Sequence, residues 1–367
     1  MRICELVQGL WLAGMEKVVV SLSIGLKSRG NDVSVYCYDG IGPQSEVLRK
    51  NNIDVRFIPR TPGIDWSLPV RIARFLRQDQ IDLLHCHNDT AFFYGFLASC
   101  IARVPVVYTE HSLLTNVKKI KKIVHSFFFQ RTSIITAVTE KIGERLINEE
   151  KAPSKRVHVI WNGIDGNRYR ARCDDFIARK RAEFGIPPGA FVLGTVGRCS
   201  VEKNQKMLIE LLLTIPQEKN CFLVIVGDGP LRPDLESYAT EKGIGGRIRF
   251  TGIREDTEQI YPVFDVFVLS SNREGMPLAV IEAMASALPV VSTDVGGIKN
   301  IVTEGWNGYL VPTNDIRAML ERIDLLQRET ETRKRLGGNG RSFFEKYLSE
   351  EKMIQQYEDL FERVVSP

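Results

Sequence analysis

The feature that most constrains the fold is a regular alternation of short apolar strands with helical segments, repeated in two successive series. Continuously apolar strands separated by helices indicate a parallel sheet covered on both faces, so two series predict two doubly wound α/β domains. The predicted strands of the first series are Arg2–Val7, Val33–Tyr38, Val55–Ile58, Leu83–Cys86, Val106–Thr109, Ile134–Val138 and His158–Trp161. Those of the second are Phe191–Gly197, Phe222–Gly227, Arg247–Thr251, Val266–Ser270, Val290–Thr293 and Tyr309–Pro312.

The pattern also predicts where the two domains divide. The second series starts after a turn-rich stretch at 185–190, and we place the boundary somewhat earlier, near 165–172. The first domain is therefore predicted to comprise residues 1–167 and the second residues 168–348. The polar, helix-forming segment 349–367 follows the last unit of the second series, and it is long enough to return to the first domain.

Composition narrows the class of protein. With 367 residues, 44% of them hydrophobic and 26% charged, the chain is typical of globular proteins whose domains each bury a core. A net charge of +4 is too small to indicate a nucleic-acid partner. Seven widely spaced cysteines without a Cys-x-x-Cys pair predict reduced thiols. No signal peptide and no apolar run of about 18 residues is recognisable, so we expect a cytoplasmic protein without a membrane span.

The stretch 270–298 carries the strongest site signal. We expect Glu274 in a loop and Glu282 in a helix whose first turn contains Pro277. The apolar positions of that helix are Leu278, Ile281, Ala285 and Leu288. Two carboxylates that accept from hydroxyls, with helix-start amides that hold an anion, predict a site for a sugar joined to a phosphate. The alternative is a pair of solvated glutamates beside an ordinary amphipathic helix.

Two cations follow the first strand of the second series. Arg198 and Lys203 lie in one loop, from which a guanidinium and an ammonium can hold a diphosphate, although an ordinary solvated basic loop is the alternative. The dinucleotide-binding glycine fingerprint and the Gly-Lys-Ser/Thr phosphate loop are both missing from the sequence. In the first series, Ala13 and Gly14 form a small-residue turn that opens a helix and brings backbone amides close to a ligand.

Three histidines are expected at the carboxyl edge of the first sheet. His85 and His87 end one strand, and His111 follows the next. Metal binding needs a third ligand, and the spacing indicates none, so we predict no metal site. We expect these histidines to donate hydrogen bonds to sugar hydroxyls or to developing charge, while for His85 a satisfied core residue is the favoured alternative.

Five segments in this order resemble a known family: VIWNGID, VGRCSVEKN, VGDGPLR, FTG and SNREGMPLAVIEAMASALPVVSTDVGG. The chain resembles, over nearly its whole length, the retaining nucleotide-sugar glycosyltransferases of the GT-B fold. That family includes sucrose synthases and bacterial mannosyl- and polysaccharide glycosyltransferases. The resemblance implies two facing Rossmann-like domains, with the nucleotide-sugar donor held mainly by the second and a sugar, glycolipid or lipid-linked acceptor held by the first.

The resemblance also implies residue roles in the second domain. Arg198 and Lys203 match the pair that neutralises the donor diphosphate. Glu282 matches the carboxylate on the ribose hydroxyls, and Glu274 the one that faces the C3 and C4 hydroxyls of the transferred sugar. Backbone amides of the following loop are implied to bind sugar and phosphate. That loop consists of Gly275, Met276, Pro277 and Leu278.

Further positions match more loosely. Gly252 and Ile253 begin the stretch implied to read the base, Gly14 matches a loop near the diphosphate, and His111 matches a histidine beside the reacting sugar. Two positions depart from the family pattern. Ala13 replaces a usual glycine, and Asn300 stands where an acidic residue often follows the Gly-Gly loop.

The implied reaction is front-face transfer with retention, in which the departing diphosphate helps to deprotonate the incoming hydroxyl. The resemblance implies neither a cofactor nor a metal ion, and it favours a UDP-sugar over a GDP-sugar donor. A GT-B epimerase or phosphorylase and a non-catalytic nucleotide-sugar-binding assembly protein are the alternatives. Detection of product from a panel of donors and acceptors separates them.

A basic segment at 116–131 predicts an amphipathic helix. We expect its apolar side to face the core, and a basic side carrying Phe129 to face outward. The expected core side contains Val117, Ile120, Ile123, Val124 and Phe127, and the expected basic side contains Lys118, Lys121, Lys122 and His125. Such a face predicts peripheral association with an anionic membrane surface, and a solvated basic face that binds an anionic acceptor is the alternative.

Overall fold

The computed structural model describes residues 1–113, 119–169 and 173–365, which form two compact units. The first unit contains residues 1–164 and the C-terminal segment that begins at Glu350, and the second contains Asp165–Ser349. Each unit has one parallel sheet with helices, which confirms the predicted α/β class and the two Rossmann-like domains.

The first unit has this order of elements: β1 (Arg2–Val7), α1 (Gly14–Ser28), β2 (Asp32–Cys37), α2 (Gln44–Lys50), β3 (Asp54–Phe57), α3 (Leu68–Gln78), β4 (Leu83–His87), α4 (Asn88–Ala102), β5 (Val106–Glu110), α5 (Lys119–Phe129), β6 (Ile134–Ala137), α6 (Glu140–Glu150), β7 (Val157–Val159) and α15 (Glu350–Val365). Its sheet has the order β3-β2-β1-β4-β5-β6-β7. The chain reverses its direction of winding between β1 and β4, and in such sheets ligands bind at the carboxyl ends of the strands beside this switch point.

The returning helix α15 packs against the first helix of the same unit. A Cβ placed on Gly25 of α1 would lie 2.0 Å from the Ile354 Cδ1 atom, so the absence of a side chain there permits the close approach. Glu358 accepts hydrogen bonds from Asn31 Nδ2 at 2.8 Å and from Arg29 Nη1 at 3.0 Å. The polar segment predicted to return to the first domain is therefore a helix of the first unit.

The second unit has this order of elements: α7 (Asp174–Glu183), β8 (Phe191–Val196), α8 (Gln205–Thr214), β9 (Cys221–Val226), α9 (Arg232–Glu241), β10 (Ile248–Gly252), α10 (Thr257–Ile260), β11 (Val266–Leu269), α11 (Leu278–Ala285), β12 (Val290–Thr293), α12 (Ile298–Ile301), β13 (Gly308–Val311), α13 (Ile316–Arg328) and α14 (Thr330–Tyr347). Its sheet has the order β10-β9-β8-β11-β12-β13, with the switch point between β8 and β11. The strands β9 and β12 are buried along their whole length, as their continuous apolar runs predict.

Every predicted strand is present, with ends that differ from the predictions by at most two residues. The helix after Glu274 differs more. Pro277 precedes α11 as its N-cap, with φ −72° and ψ 116°, and does not occupy the first turn. The helix ends at Ala285, and Ala287 has a left-handed φ of 56°, so Leu288 belongs to the connection to β12.

The expected orientation of the basic helix is wrong. In α5 the side chains of Ile120, Ile123 and Phe127 are 72%, 70% and 55% exposed, whereas Phe129 is fully buried. His125 is also buried, since its Nδ1 atom lies 2.7 Å from a carboxylate oxygen of Glu150. The buried side of α5 carries phenylalanine rings that stack against rings of α4. Burial of these large aromatic side chains determines which side of the helix faces the core. Val117 and Lys118 lie outside the described residues.

Candidate functional site

The loops that flank the switch point of the second sheet bring a cation and a carboxylate together. Lys203, in the loop after β8, places its Nζ atom 2.6 Å from the Glu274 Oε1 atom in the loop after β11. Ser271 Oγ donates to the same oxygen at 2.6 Å. Glu274 is 8% exposed and the Lys203 side chain 24%, so the pair lies at the base of this edge.

Side chains tie these two loops to one another. Ser270 Oγ contacts the backbone carbonyl oxygens of Lys203 at 3.0 Å and Asn204 at 2.9 Å. Gln205 Nε2 donates to the carbonyl oxygen of Arg198 at 2.9 Å. The Arg198 residue itself is exposed, and among the described residues its guanidinium forms no hydrogen bond or ion pair. The loops are therefore ordered by their own contacts, while the Arg198 cation faces solvent.

A glycine allows a third loop to approach. Gly296, after β12, has φ +60°, and a Cβ atom there would lie 2.0 Å from the backbone oxygen of Glu274. The neighbouring Gly297 N–H donates to the carbonyl oxygen of Gly275 at 3.0 Å. Only a residue without a side chain permits this backbone contact, so the Gly-Gly pair positions the segment that carries Glu274.

The segment from Gly275 to Leu278 leads directly into the N-terminus of α11. Met276 and Leu278 are only 6% and 8% exposed, which anchors the segment by packing. A helix N-terminus carries a partial positive charge and amide donors. With Arg198 and Lys203 it makes this edge suited to a phosphate group, and the Glu274 carboxylate suits it to hydroxyl groups.

Glu282, in α11, is a buried carboxylate. It is 3% exposed, and its Oε2 atom accepts a hydrogen bond from Tyr261 Oη at 2.7 Å. Burial, followed by the nearby Glu282 carboxylate, raises the pKa of Tyr261 well above its usual value, so the phenol keeps the proton that it donates. The ribose role of Glu282 stays a prediction.

The expected base-reading stretch begins at the end of β10. Gly252 has φ +71°, and its carbonyl oxygen accepts from the Gly227 N–H at 2.8 Å. Ile253 follows with 63% of its surface exposed. An exposed isoleucine beside paired glycines offers an apolar surface and nearby backbone groups, which are the contacts that a flat base uses.

At the switch point of the first sheet, Gly14 begins α1 and is exposed. Asn88, which has a left-handed φ of 66°, connects this region to His111. Its Nδ2 atom contacts the Met15 Sδ atom at 2.8 Å, and its Oδ1 atom accepts from the His111 N–H at 3.3 Å. Gly14 and His111 therefore share one edge of the first unit.

The three histidines form part of a buried cluster that includes Glu5 of β1. His87 Nε2 lies 2.6 Å and His85 Nδ1 lies 2.8 Å from the same Glu5 Oε2 atom. His87 Nδ1 lies 2.9 Å from His111 Nε2. His85 and His87 are 0% and 1% exposed, and His111 is partly exposed. The structure supports the core interpretation of His85, whereas the expectation that His87 reaches a sugar is wrong.

The expectation that no third metal ligand lies in reach of the two strand histidines is also wrong. Ligand atoms of Glu5, His85 and His87 all lie within 4.8 Å of one another. His87 Nε2 is hydrogen-bonded to Glu5 Oε2, whereas His85 Nδ1 lies 2.8 Å from the same oxygen without hydrogen-bond geometry. We interpret the cluster as hydrogen-bonded.

Burial and charge set the protonation of this cluster. Although burial opposes ionisation, the neighbouring His85 and His87 lower the pKa of Glu5 to about 2. Burial and then His85 lower the pKa of His87 to about 4. Burial, followed by His87 and His85, lowers the pKa of His111 well below its usual value. At neutral pH, Glu5 is therefore ionised, whereas His87 and His111 are uncharged.

Sequence reasoning missed Glu5, Asn88, Tyr261 and Ser271 as members of these sites. Glu5 is predictable from the sequence, because a lone carboxylate inside the apolar strand RICELV needs a buried partner. Tyr261 and Ser271 are not predictable in this way, since a phenol or hydroxyl near a carboxylate is not encoded in local spacing.

Comparison with known proteins identifies similar families for both units. The family described as "Glycosyl transferases group 1" matches residues 176–343, and "Glycosyltransferase Family 4" matches residues 12–168. The chain is 30% identical over 359 residues to the D-inositol 3-phosphate glycosyltransferase of Corynebacterium efficiens, which covers 88% of this chain and 84% of the relative. It is 27% identical over 328 residues to the UDP-Gal:alpha-D-GlcNAc-diphosphoundecaprenol alpha-1,3-galactosyltransferase of Escherichia coli, covering 85% and 84%.

Solved structures show the same fold. The structure of Anabaena HepE in complex with UDP superimposes with a TM-score of 0.89 at 23% identity, covering 99% of this chain and 100% of that one. WaaG, described as a glycosyltransferase involved in lipopolysaccharide biosynthesis, has a TM-score of 0.74 at 15% identity, covering all of both chains. Among the described residues, no helix has the length and apolar character needed to cross a bilayer.

Proposed function

We propose that this chain transfers the sugar of a UDP-sugar to an acceptor hydroxyl with retention of the anomeric configuration. The chain belongs to the group 1 glycosyltransferases, and it transfers a sugar from a nucleotide-sugar donor. The bond from the anomeric carbon to the diphosphate oxygen breaks, and a bond to the acceptor oxygen forms on the same face of the sugar. The proton of the acceptor hydroxyl passes to the departing diphosphate. The products are a glycoside and UDP.

The observation that carries this proposal is the edge of the second sheet at Lys203 and Glu274. Lys203 is paired with Glu274 at this edge, the exposed Arg198 lies in the same loop as Lys203, and the segment that carries Glu274 leads into the N-terminus of α11. These positive groups are proposed to stabilise the negative charge that grows on a departing diphosphate. Protein cations can supply this stabilisation without a metal ion. The proposed role of the Glu274 carboxylate, which is paired with Lys203, is to accept hydrogen bonds from sugar hydroxyls and not to attack the anomeric carbon.

The donor base is proposed from the relatives. The Escherichia coli relative is named for a UDP-galactose donor, and its acceptor is a sugar on diphosphoundecaprenol. The Anabaena structure contains UDP. A UDP-sugar and a lipid-linked acceptor are therefore proposed for this chain.

The test is a matrix of UDP- and GDP-sugars against saccharide and polyprenyl-diphosphate acceptors. Mass spectrometry detects the product, and NMR of the new linkage reports its anomeric configuration. We expect one UDP-sugar to yield an α-glycoside from an α-linked donor. Transfer only from GDP-sugars would overturn the choice of base, and an inverted product would overturn retention. Epimerised donor sugar without transfer would indicate an epimerase, and tight nucleotide binding without any product an assembly protein.

The surface of α5 supports a second element of the proposal, peripheral contact with a lipid bilayer. Ile120, Ile123 and Phe127 form an exposed apolar row. Trp66 is 70% exposed, and its ring lies 6.2 Å from that of Phe93, which extends the aromatic surface beyond the helix. Apolar side chains of this kind insert at the headgroup boundary of a membrane, while flanking lysines attract anionic lipids.

The lysines are less available than the sequence predicts. Lys121 pairs with Asp89, and Lys122 Nζ lies 2.8 Å from a carboxylate oxygen of Glu149. The free energy of insertion is therefore proposed to come mainly from the apolar row, with charge as a smaller contribution.

Cosedimentation with anionic and neutral vesicles tests this surface. We expect tighter binding to anionic than to neutral vesicles, and a moderate decrease of binding at high salt. Ile123→Glu should weaken binding at least about tenfold, because it places a charge in the apolar row. Val47→Glu, at an exposed apolar position of α2, is the matched control and should bind normally. Equal binding by both variants, or no binding by the unmodified protein, would contradict membrane contact through α5.

A further inference from the structure

Three side chains of the first unit form a line of hydrogen bonds that ends at the surface. Glu5 lies at the buried end, His87 in the middle and His111 at the partly exposed end. The two heavy-atom distances along the line are 2.6 and 2.9 Å. The family resemblance implies a role beside the reacting sugar for His111, and it gives no role to Glu5 or His87.

The direction of each hydrogen bond follows from the carboxylate at the buried end. Because an ionised carboxylate only accepts, the Nε2 atom of His87 must carry its proton. The Nδ1 atom of this uncharged ring then has a lone pair. The His111 Nε2 atom, 2.9 Å away, must therefore carry a proton and donate it. An uncharged His111 ring that is protonated at Nε2 has no proton at Nδ1.

We propose that Glu5 and His87 are positioning residues that hold His111 as the neutral Nε2–H tautomer, so that its Nδ1 atom accepts a hydrogen bond from a substrate hydroxyl. This inference rests on the proposed function only for the identity of the substrate. It reverses the expectation that the histidines of this edge donate hydrogen bonds. An acceptor nitrogen orients a hydroxyl by accepting a hydrogen bond from it, and it cannot stabilise negative charge on the leaving diphosphate.

Neighbouring groups bear on the positions of Glu5, His87 and His111. Among the described residues no side chain or backbone group is hydrogen-bonded to His111 Nδ1, which leaves it for a ligand. On the other side of Glu5, His85 contacts the same carboxylate oxygen, and its Nε2 atom lies 2.6 Å from Thr109 Oγ1. The hydroxyl of Tyr357, in the returning helix, lies 3.3 Å from the same Thr109 Oγ1 atom. Helix α15 therefore contributes, through Tyr357, to the hydrogen-bonded group around Thr109 that holds the His85 ring.

The direct test is ¹⁵N NMR of the histidine rings in the unmodified protein at pH 7, with the full chain labelled at histidine. Protonated and unprotonated ring nitrogens have distinct chemical shifts, and the His111 signals are assigned with His111→Gln. We expect a neutral His111 ring with its proton on Nε2. A proton on Nδ1, or a charged ring, would overturn the inference whether or not the protein transfers sugar.

Variants test the role of the line. His87→Leu removes the acceptor for His111 Nε2–H, whereas His87→Asn retains an acceptor oxygen near the position of Nδ1. We expect His87→Leu to lose the Nε2–H signature and to lower kcat at least about tenfold, with donor KM changed less, because the substrate binds but is misoriented. His87→Asn should restore most of both. In serine proteases, replacement of the triad aspartate by asparagine leaves the histidine in the wrong tautomer and lowers kcat by about 10⁴-fold.

The matched control is His125→Asn, which disrupts the other buried histidine and carboxylate pair of the same unit, that with Glu150. Its His111 spectrum and kcat should match those of the unmodified protein. If His87→Leu and His87→Asn lower kcat equally while the His111 tautomer is unchanged, the line is only structural. If no donor yields product with any variant but the tautomer is as stated, the proposed reaction fails and the positioning of His111 stands.

Discussion

Both sheets carry polar groups at their switch points, but the second unit carries them on loops and the first unit carries them on strands. In the second unit the chemistry is presented by loops, with an exposed Arg198, a Lys203 and Glu274 pair, and a Gly-Gly segment in backbone contact. In the first unit it is presented by the strands themselves, through a buried carboxylate and a line of uncharged imidazoles. One edge is cationic and built on glycines, and the other is polar, buried and without an exposed cation in this cluster.

The difference shows what each edge is suited to bind. A diphosphate requires full charges and backbone amides that approach closely, which loops provide. A hydroxyl requires one correctly oriented donor or acceptor, which a rigid buried line provides at the cost of desolvating Glu5. The edge of the second sheet, which is built from loops, should therefore depend more strongly on charge and on backbone shape than the edge of the first sheet.

The largest effect is expected from Gly296→Ala. Its Cβ atom would lie 2.0 Å from the Glu274 backbone oxygen, a contact that no side-chain rotation relieves. Displacement of the Glu274 segment by about 1 Å costs on the order of 100-fold in kcat. Gly243→Ala is the matched control, since it shares a left-handed φ of +72° but has open space around it. Steady-state kinetics and melting temperatures of both variants check this, and equal activity would show that the Gly-Gly contact is unimportant.

Removal of either cation is the next largest perturbation. Arg198→Ala and Lys203→Ala should each lower kcat at least about tenfold, because each cation stabilises the leaving group more as the bond breaks. Lys206→Ala, at an exposed lysine of α8 with a 58% exposed side chain, controls for the loss of net charge. Near-normal turnover in both site variants would refute the assignment of the cationic edge.

Substitution of Glu282 and of Glu274 should have different effects on UDP binding and on turnover. Glu282→Ala is expected to weaken binding of free UDP by several-fold, because a ribose contact is made about equally in the ground and transition states. Glu274→Ala should lower kcat while free UDP still binds. Calorimetry and kinetics measure both quantities. Tyr261→Phe, which removes only the hydroxyl that donates to Glu282, reports how much of the effect is packing. Equal UDP affinity of the two alanine variants would contradict the ribose role.

The smallest effect is expected from metal removal. If Arg198 and Lys203 supply the positive charge, excess chelator should leave the initial rate within about twofold of its starting value. The measurement is the rate with chelator, then with added magnesium or manganese. Loss of activity that either ion restores would mean that the cationic edge is incomplete without a metal.

Much of the fold was predictable because it depends on local patterns. The strands were correct because continuous apolar runs of this length suit a sheet covered on both faces. The end of α11 was wrong by several positions, since apolar spacing continues to Leu288 although Ala287 turns into the left-handed region. The faces of α5 were inverted because helical spacing defines two sides, and only the aromatic stack on α4 decides which one is buried.

Local sequence patterns suffice to predict the two α/β domains, the returning helix and the order of the motifs around Arg198, Lys203 and Glu274, since each depends on residues close together in the chain. Tertiary structure alone decided that Lys203 reaches Glu274 and that Glu5 organises the histidines. Glu5 and His87 are 82 residues apart and become neighbours only because β1 pairs with β4. The physical reason is that parallel pairing joins strands distant in sequence, so a buried polar cluster is set by register and topology.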